Sequence, residues 1–375
     1  MKILMNFADW THTPERVEQN TYGGIGYYRI VKPSENIEGY EVKVIGKEIT
    51  DFGVTLEEQW DNVFKEYDAY WTNYFADDKA GACIIYYAQK HKKKLIIDID
   101  DNYLDIPESN MLYERFKVGK RDRAMLTTIL SFADIITTST FPLKERLDEH
   151  FQLVQKIDKK IVVIPNLNDI KDWDFKPVEK SKDKIVIGYT GSNSHHDDLR
   201  LVMPAIKELM TKYDNLHFEM IGILDKKNAP IMFKDWDLKL LDRVAMVGAT
   251  PTFREYPQWL SERAWDIGIA PLVDTRFTRC KSSIKWLEYS MFKIPTVASR
   301  VYPYFIDVMG RKTVEDGKTG LLCRVNEWKD KLEKLILDKE FRIKLGEQAY
   351  EHVKDKWQYK DSNLNKIIGA MLEDK

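Results

Sequence analysis

The chain has 375 residues, enough for two domains with substantial cores and too long for one small module. Hydrophobic residues make up 43% and charged residues 31%, which excludes a disordered polymer, a collagen and a small disulfide scaffold. Lys and Arg number 58 against 60 Asp and Glu, so the net charge of −2 leaves room only for local basic patches and not for a globally basic nucleic-acid binder.

The opening stretch, MKILMNFADW, is too short an apolar run for a signal peptide and reaches Asp9 almost at once. No window approaches the roughly 18 apolar residues of a spanning helix. Short apolar runs then alternate with helical-period segments, the pattern of an α/β protein in which crossover helices cover parallel strands. Strands are expected at residues 2–7, 41–45, 69–72, 95–99, 135–138 and 161–164. Just after the first strand, TYGGIGYYR supplies Gly23, Gly24 and Gly26, where a backbone without side chains can approach a ligand or simply turn. The Lys92-Lys93-Lys94 run reads as a solvated approach to the fourth strand, with peripheral membrane contact as the alternative.

That fourth strand ends in an acidic cluster, KKKLIIDIDDNYLDIP, and three functional readings compete for it. Asp-x-Asp could bind a divalent metal; Asp98 and Asp100 could be the nucleophile and acid of a metal-dependent phosphatase; or a carboxylate at the strand end could face a cleft and bind a substrate hydroxyl, the more terminal Asp100 reaching farther. Capping of the following turn is the purely structural alternative.

After Pro165-Asn166, the charged segment DIKDWDFKPVEKSKDK shows no periodic apolar face and reads as a linker, dividing a first domain, 1–172, from a second, 173–356. Further strands are expected at 185–189, 217–221, 244–247, 267–270 and 296–298. IGYTGSNSHHDDLRLVMPAIKELM is a strand, a turn and one helix, capped by Asn193 or Ser194, whose start and exposed amides at Gly191 and Ser192 suit a phosphate. His195, His196, Asp197 and Asp198 also invite a metal, although adjacent helical side chains splay apart. In RFTRCKSSIKWLEYSMFKIPTVAS, Lys281, Lys285 and Glu288 are spaced for one helical face, two cations suited to a diphosphate and a carboxylate suited to a ribose diol; a salt-bridged surface is the plain alternative. Leu364, Ile367, Ile368 and Met371 lie at helical spacing in a last helix, about 357–375, that can pack on either domain. Cys83, Cys280 and Cys323 are widely separated and odd in number, which suits a reducing compartment and suggests the cytoplasm.

The ordered series GGIGYYR, IIDIDDNYLDIP, ADIITTS, VIPNLND, IGYTGSNSHHDD, WDIGIAPL, KSSIKWLEYSMFKIPTVAS and DGKTGLL resembles the GT-B glycosyltransferases, in particular the retaining family-four type, glycosyl transferases group 1, with similar segments in bacterial and bacteriophage members. The resemblance implies two Rossmann-like domains with parallel sheets facing a cleft, an acceptor side in the first and a nucleotide-sugar site in the second, and a last helix returning to the first. It implies a hexosyl- or pentosyltransferase needing neither metal nor other cofactor, with a nucleotide-sugar as substrate. The acceptor stays open among saccharide, protein and modified DNA base. Asp100, Asp101 and His195 become the catalytic candidates; Gly191, Ser192, Lys281, Ser282, Lys285 and Glu288 the donor-binding candidates; and Gly23, Gly24, Gly26 and Arg29 an acceptor or diphosphate loop. In the family's Glu-x7-Glu element Glu288 fills the second position, expected at the ribose, whereas the first is Cys280. By strand-end alignment Asp100 falls near a family histidine that approaches the transferred sugar. The competing readings are the phosphatase built on Asp98 and Asp100, and a nucleotide-sugar-binding protein whose missing first Glu signals lost catalysis.

Overall fold

The computed structural model describes residues 1–7, 22–46, 52–73, 78–222, 232–248, 251–306, 312–360 and 363–373; Asp9, Thr21 and part of the VGATPTFREY loop lie outside them. Among the described residues, twelve strands form two sheets. The first contains β1 (Lys2–Asn6), β2 (Glu41–Ile45), β3 (Ala69–Asn73), β4 (Lys94–Ile99), β5 (Ile135–Thr138) and β6 (Lys160–Val163), in the order β2-β1-β3-β4-β5-β6. The second contains β7 (Ile185–Thr190), β8 (Leu216–Ile221), β9 (Val244–Val247), β10 (Ile267–Ala270), β11 (Thr296–Ser299) and β12 (Leu321–Cys323), in the order β12-β11-β10-β7-β8-β9. Every recorded pairing is parallel. This is the two-sheet α/β architecture of GT-B proteins.

The strands are continuous apolar runs because helices cover both faces of each sheet. The crossovers are fixed locally: Thr55 and Glu58 form a reciprocal capping box that starts Leu56–Glu66, whose Trp60, Val63 and Phe64 are buried. In β7, Gly188 lies directly under the Trp265 ring, and a Cβ there would meet it at 1.8 Å. Strand order reverses between β1 and β3 in one sheet and between β7 and β10 in the other, and ligands of open α/β sheets bind outside the carboxyl ends at such points.

An apolar core joins the two sheets. Tyr27 stacks on Phe253 with centroids 4.2 Å apart, Tyr28 meets the same ring edge-on at 5.3 Å, and Trp173 contacts Phe253, Tyr256 and Phe292. This changes the reading of the supposed linker. Its first part is a 3-10 turn, Ile170–Trp173, whose Trp173 is buried, while Asp172 pairs with Lys32 at 2.7 Å. Trp173 and Phe175, two residues apart in a charged run, carry no helical period, yet Trp173 anchors the chain between domains.

Two further differences have local causes. The segment after β7 is not one capped helix but a 3-10 turn, Asn193–His195, then His196–Arg200 and Met203–Lys212, the last carrying Pro204 in its first turn, where proline is tolerated. Neither short element has a side-chain cap. β12 was not among the expected strands because three residues, LLC, make too short a run. Leu364–Glu373 turns Leu364, Ile368, Met371 and Leu372 into the core against the first sheet. Its terminal carbonyls at Leu372 and Met371 accept from Lys94 Nζ (2.5 Å) and Lys160 Nζ (3.2 Å), cations well placed at a helix C-terminus. Lys93 pairs with Asp68, so two of the three consecutive lysines are engaged within the protein. No helix of the described residues is long and apolar enough to cross a membrane.

Candidate active site

Both sheets direct their carboxyl ends at a cleft of about 510 Å³. The first domain contributes Gly23 and Gly24, Asp100 and Asp101 beyond β4, and Asn166 beyond β6; the second contributes the turn after β7, Gly222, Leu272, Tyr304 and the segment from Lys281 to Glu288. Thus Asp100, Asp101, His195, Gly191, Ser192, Lys281, Ser282, Lys285, Glu288, Gly23 and Gly24 all line one cavity. Gly26 and Arg29 do not. Gly26 is buried in the helical turn. Arg29 is only 1% exposed beneath the cleft, where its guanidinium grips Asp98 in two directions and donates to Asn166 Oδ1 at 2.9 Å.

That grip separates the two aspartates. Asp98 sits inside β4, fully buried, bonded to Arg29 at 2.7 Å and accepting from Thr137 Oγ1 at 2.6 Å. It cannot be an accessible nucleophile without breaking a buried ion pair, so the phosphatase reading loses its central residue. Asp100 lies beyond the strand end and its carboxyl has no described hydrogen-bond partner. Burial, then Asp101 and Asp98, push its pKa up to about 7. Asp101 instead takes Lys281 Nζ at 2.8 Å, an ion pair across the cleft that keeps Lys281 charged.

The helix expected to carry Lys281, Lys285 and Glu288 starts only at Ile284 and runs to Met291, with Ser283 before it. Lys281 therefore precedes the helix, and the preceding turn brings it to the same cavity. Lys285 Nζ lies 5.6 Å from the Tyr189 ring centroid, and burial followed by the charge of Lys281 lowers its pKa to about 8. Glu288 is 5% exposed; Tyr256 donates to its Oε2 at 3.0 Å, and the Tyr28 hydroxyl lies 3.3 Å from Oε1 while also facing Asn168 Oδ1 at 3.2 Å. Burial raises the Glu288 pKa to about 7, opposed by Tyr256, Lys285 and Tyr28. Each carboxylate oxygen keeps acceptor capacity for one more hydroxyl.

In the turn after β7, Gly191 N–H donates to Ile221 O at 3.0 Å, so this amide is part of the sheet edge and is not free for a phosphate. Gly222, at φ +79°, lets β8 pass so close that a Cβ would meet Gly191 O at 2.2 Å. His195 Nδ1 lies 2.8 Å from Asp198 Oδ2, and Asp198 Oδ1 accepts the Val273 N–H at 2.7 Å. Burial and then Lys285 lower the His195 pKa to about 4. The imidazole is therefore neutral at neutral pH, with the proton assigned to Nδ1 by the Asp198 carboxylate and Nε2 left as an acceptor. Both Asp198 oxygens are engaged, and among the described residues no group of three or more His, Cys, Asp or Glu is arranged to hold a metal.

Cys280 does not line the cleft. It is buried, its thiol donates to Arg276 O at 3.2 Å, and burial pushes its pKa up to about 12. The first position of the Glu-x7-Glu element thus carries an inert side chain facing away from the site. Sequence reasoning missed Tyr28, Tyr256 and Asn166, whose Nδ2 donates to Ser282 Oγ at 2.9 Å. Single tyrosines and asparagines offer no spacing signal; only the position of Tyr28 within GGIGYYR hinted at a role.

Residues 184–338 match the family described as Glycosyl transferases group 1. The whole chain superposes on an Anabaena protein, HepE, solved with UDP and glucose, at 16% identity and a TM-score of 0.64, covering 100% of both chains. A glycosyltransferase from Rickettsia africae gives 15% identity and a TM-score of 0.61 over 100% of this chain and 99% of its own. A pneumococcal O-GlcNAc transferase, GtfA, solved with UDP and GlcNAc, gives 15% and 0.57 over 85% of this chain and 60% of its own. No curated protein sequence matches.

Proposed function

Starting from a group 1 glycosyltransferase domain on a GT-B scaffold, we propose that this enzyme moves a hexose or pentose from a nucleoside-diphosphate sugar to an acceptor hydroxyl, with retention of configuration and without a metal ion. The observation that carries this reading is the convergence of Lys281, Lys285 and Glu288 with Asp100 of the other domain on one cleft. Glu288 accepts the ribose hydroxyls. Lys281 and Lys285 take the diphosphate, supplying the positive charge that stabilises the leaving group. Because Cys280 faces away, the sugar hydroxyls fall to Asp100, Asp101 and the neutral His195. The two UDP-bound neighbours support a nucleotide in such a cleft.

The acceptor enters past Gly23 and Gly24, and is a saccharide, a protein or a modified DNA base. Apposed domains exclude water and hold donor and acceptor in reacting geometry. The departing diphosphate itself accepts the acceptor proton on the same face, so no side chain is assigned as base. The enzyme's place of work is the cytoplasm, a reducing compartment suited to three widely separated cysteines of odd number. A panel of nucleotide sugars and acceptors, followed by NMR of the anomeric proton in donor and product, tests the proposal. Transfer with unchanged anomeric configuration supports it; donor binding with no turnover on any acceptor favours the lost-catalysis reading.

A further inference from the structure

The second domain holds another cavity, about 540 Å³, as large as the cleft but on the opposite edge of the sheet. Its lining includes Ile185, Asn215, Asp266 and Pro295, which stand at or just before the amino ends of β7, β8, β10 and β11. It is therefore remote from the carboxyl-end chemistry. Six cations from separate segments converge on it: Lys180, Lys182 and Lys184 from the interdomain segment, Lys293 from the turn before β11, and Lys339 and Arg342 from the helix Lys339–Lys356. Among the described residues they face three carboxylates, Glu179, Asp266 and Glu347.

The pairing is incomplete. None of the five lysines has a described carboxylate within 4.0 Å. At the floor, Arg342 is 7% exposed and donates to Leu335 O and Ile336 O, with Asp266 at 3.8 Å. Asp266 is itself engaged by the Val186 N–H at 2.9 Å. Lys180 is half-buried, and burial lowers its pKa, with Arg342 acting in the same direction against Asp266. A half-buried ammonium beside a buried guanidinium, with Asp266, the carboxylate that acts on both, already committed, is an arrangement that an incoming anion stabilises. Phe292, Pro295 and Ile336 wall the cavity with apolar surface, which strengthens charge interactions inside it.

We propose that this cavity is a second ligand site, for a phosphate group, separate from the sugar-transfer cleft. The phosphate is contacted by Lys180, Lys339 and Arg342, and so bridges the segment that connects the two sheets and the helix Lys339–Lys356 of the second domain.

Calorimetric titration of the full chain with inorganic phosphate, at fixed ionic strength in chloride, tests it. The result expected is saturable binding that falls at least about tenfold in Lys180→Gln/Lys339→Gln, two charge-assisted contacts being removed, and that survives in Lys281→Ala/Lys285→Ala, where only the cleft is impaired. The reverse pattern places phosphate in the cleft and overturns the proposal, as does the absence of saturable heat. An unchanged thermal unfolding temperature of the Lys180/Lys339 variant without phosphate separates lost contacts from lost folding. A companion arm uses vesicles containing phosphatidic acid: sedimentation of the protein, competed by inorganic phosphate and lost in the Lys180/Lys339 variant, assigns the phosphate to a lipid headgroup, and no sedimentation assigns it to a soluble compound.

Discussion

The hydroxyl of Tyr28 lies 3.3 Å from Oε1 of Glu288, so a residue of the first domain's glycine segment touches the carboxylate assigned to the nucleotide of the second. The same oxygen pair is completed by Tyr256 at 3.0 Å. Tyr28→Phe removes one donor from a buried carboxylate, which is expected to weaken nucleotide-sugar binding at pH 7 by about 0.5–1.5 kcal/mol. Because the Tyr28 hydrogen bond lowers the Glu288 pKa, its loss moves the acid limb of binding to higher pH. An affinity profile with an unmoved acid limb removes Tyr28 from the site.

The parent enzyme's own profile follows from two groups. Glu288, with a pKa of about 7, offers two acceptor oxygens only when ionised, so donor affinity rises as pH increases through 7. Lys285, with a pKa of about 8, loses its charge as pH rises further, and affinity falls. Binding of an intact nucleotide sugar, whose doubly esterified diphosphate does not titrate here, should therefore peak between these values. Glu288→Gln flattens the acid limb, and Lys285→Met flattens the alkaline one; calorimetry from pH 5.5 to about 9.5 reads both.

Lys281→Ala and Lys285→Ala are each expected to weaken donor binding by about 1.5–3 kcal/mol. Lys281→Ala also strands Asp101, its 2.8 Å partner across the cleft. Adding Asp101→Asn should recover part of any lost thermal stability without recovering donor affinity. If affinity returns with Asp101→Asn, Lys281 acts by neutralising Asp101 and does not hold the diphosphate.

Asp98 and Asp100 should respond in opposite ways. Asp98→Asn leaves the buried Arg29 charge poorly paired and should cost about 3–5 kcal/mol of stability. Asp100 has a folded pKa of about 7, well above an unfolded carboxyl, so the folded state binds the extra proton and stability declines as pH rises from about 4 to 7. Asp100→Asn removes that slope, leaves or raises the unfolding temperature above pH 7, and lowers turnover with little change in nucleotide affinity. Unfolding curves and initial rates of both variants decide. Full activity of Asp100→Asn returns the cluster to a turn cap.

Much of this was legible in the sequence, for identifiable reasons. Apolar runs such as LIIDI, IITT and IVIGY mark fully covered strands, and every expected strand formed within a residue or so of its expected ends. Asp100, Asp101, Gly191 and Ser192 were readable because they directly follow strand ends, whereas Asn166, also just beyond a strand, carried no charge or spacing to mark it. Pairing was not readable: Arg29 lies 69 residues from Asp98, and nothing local reveals that its charge points into the core. The helical spacing of Lys281 and Lys285 overlooked a helix that begins only at Ile284. Strand alternation likewise cannot relate Asp98 to Asp100, because β4 ends at Ile99.

The most direct test of a diphosphate-sugar site built by Lys285 and Glu288 without metal is calorimetric titration of the parent and Lys285→Ala with UDP-glucose, UDP-GlcNAc and a GDP-sugar, all in excess chelator. At least one donor should bind the parent with one-to-one saturation at pH 7.5, and bind the variant at least about tenfold more weakly. Binding that appears only when magnesium is restored, or equal affinity in the variant, contradicts the account.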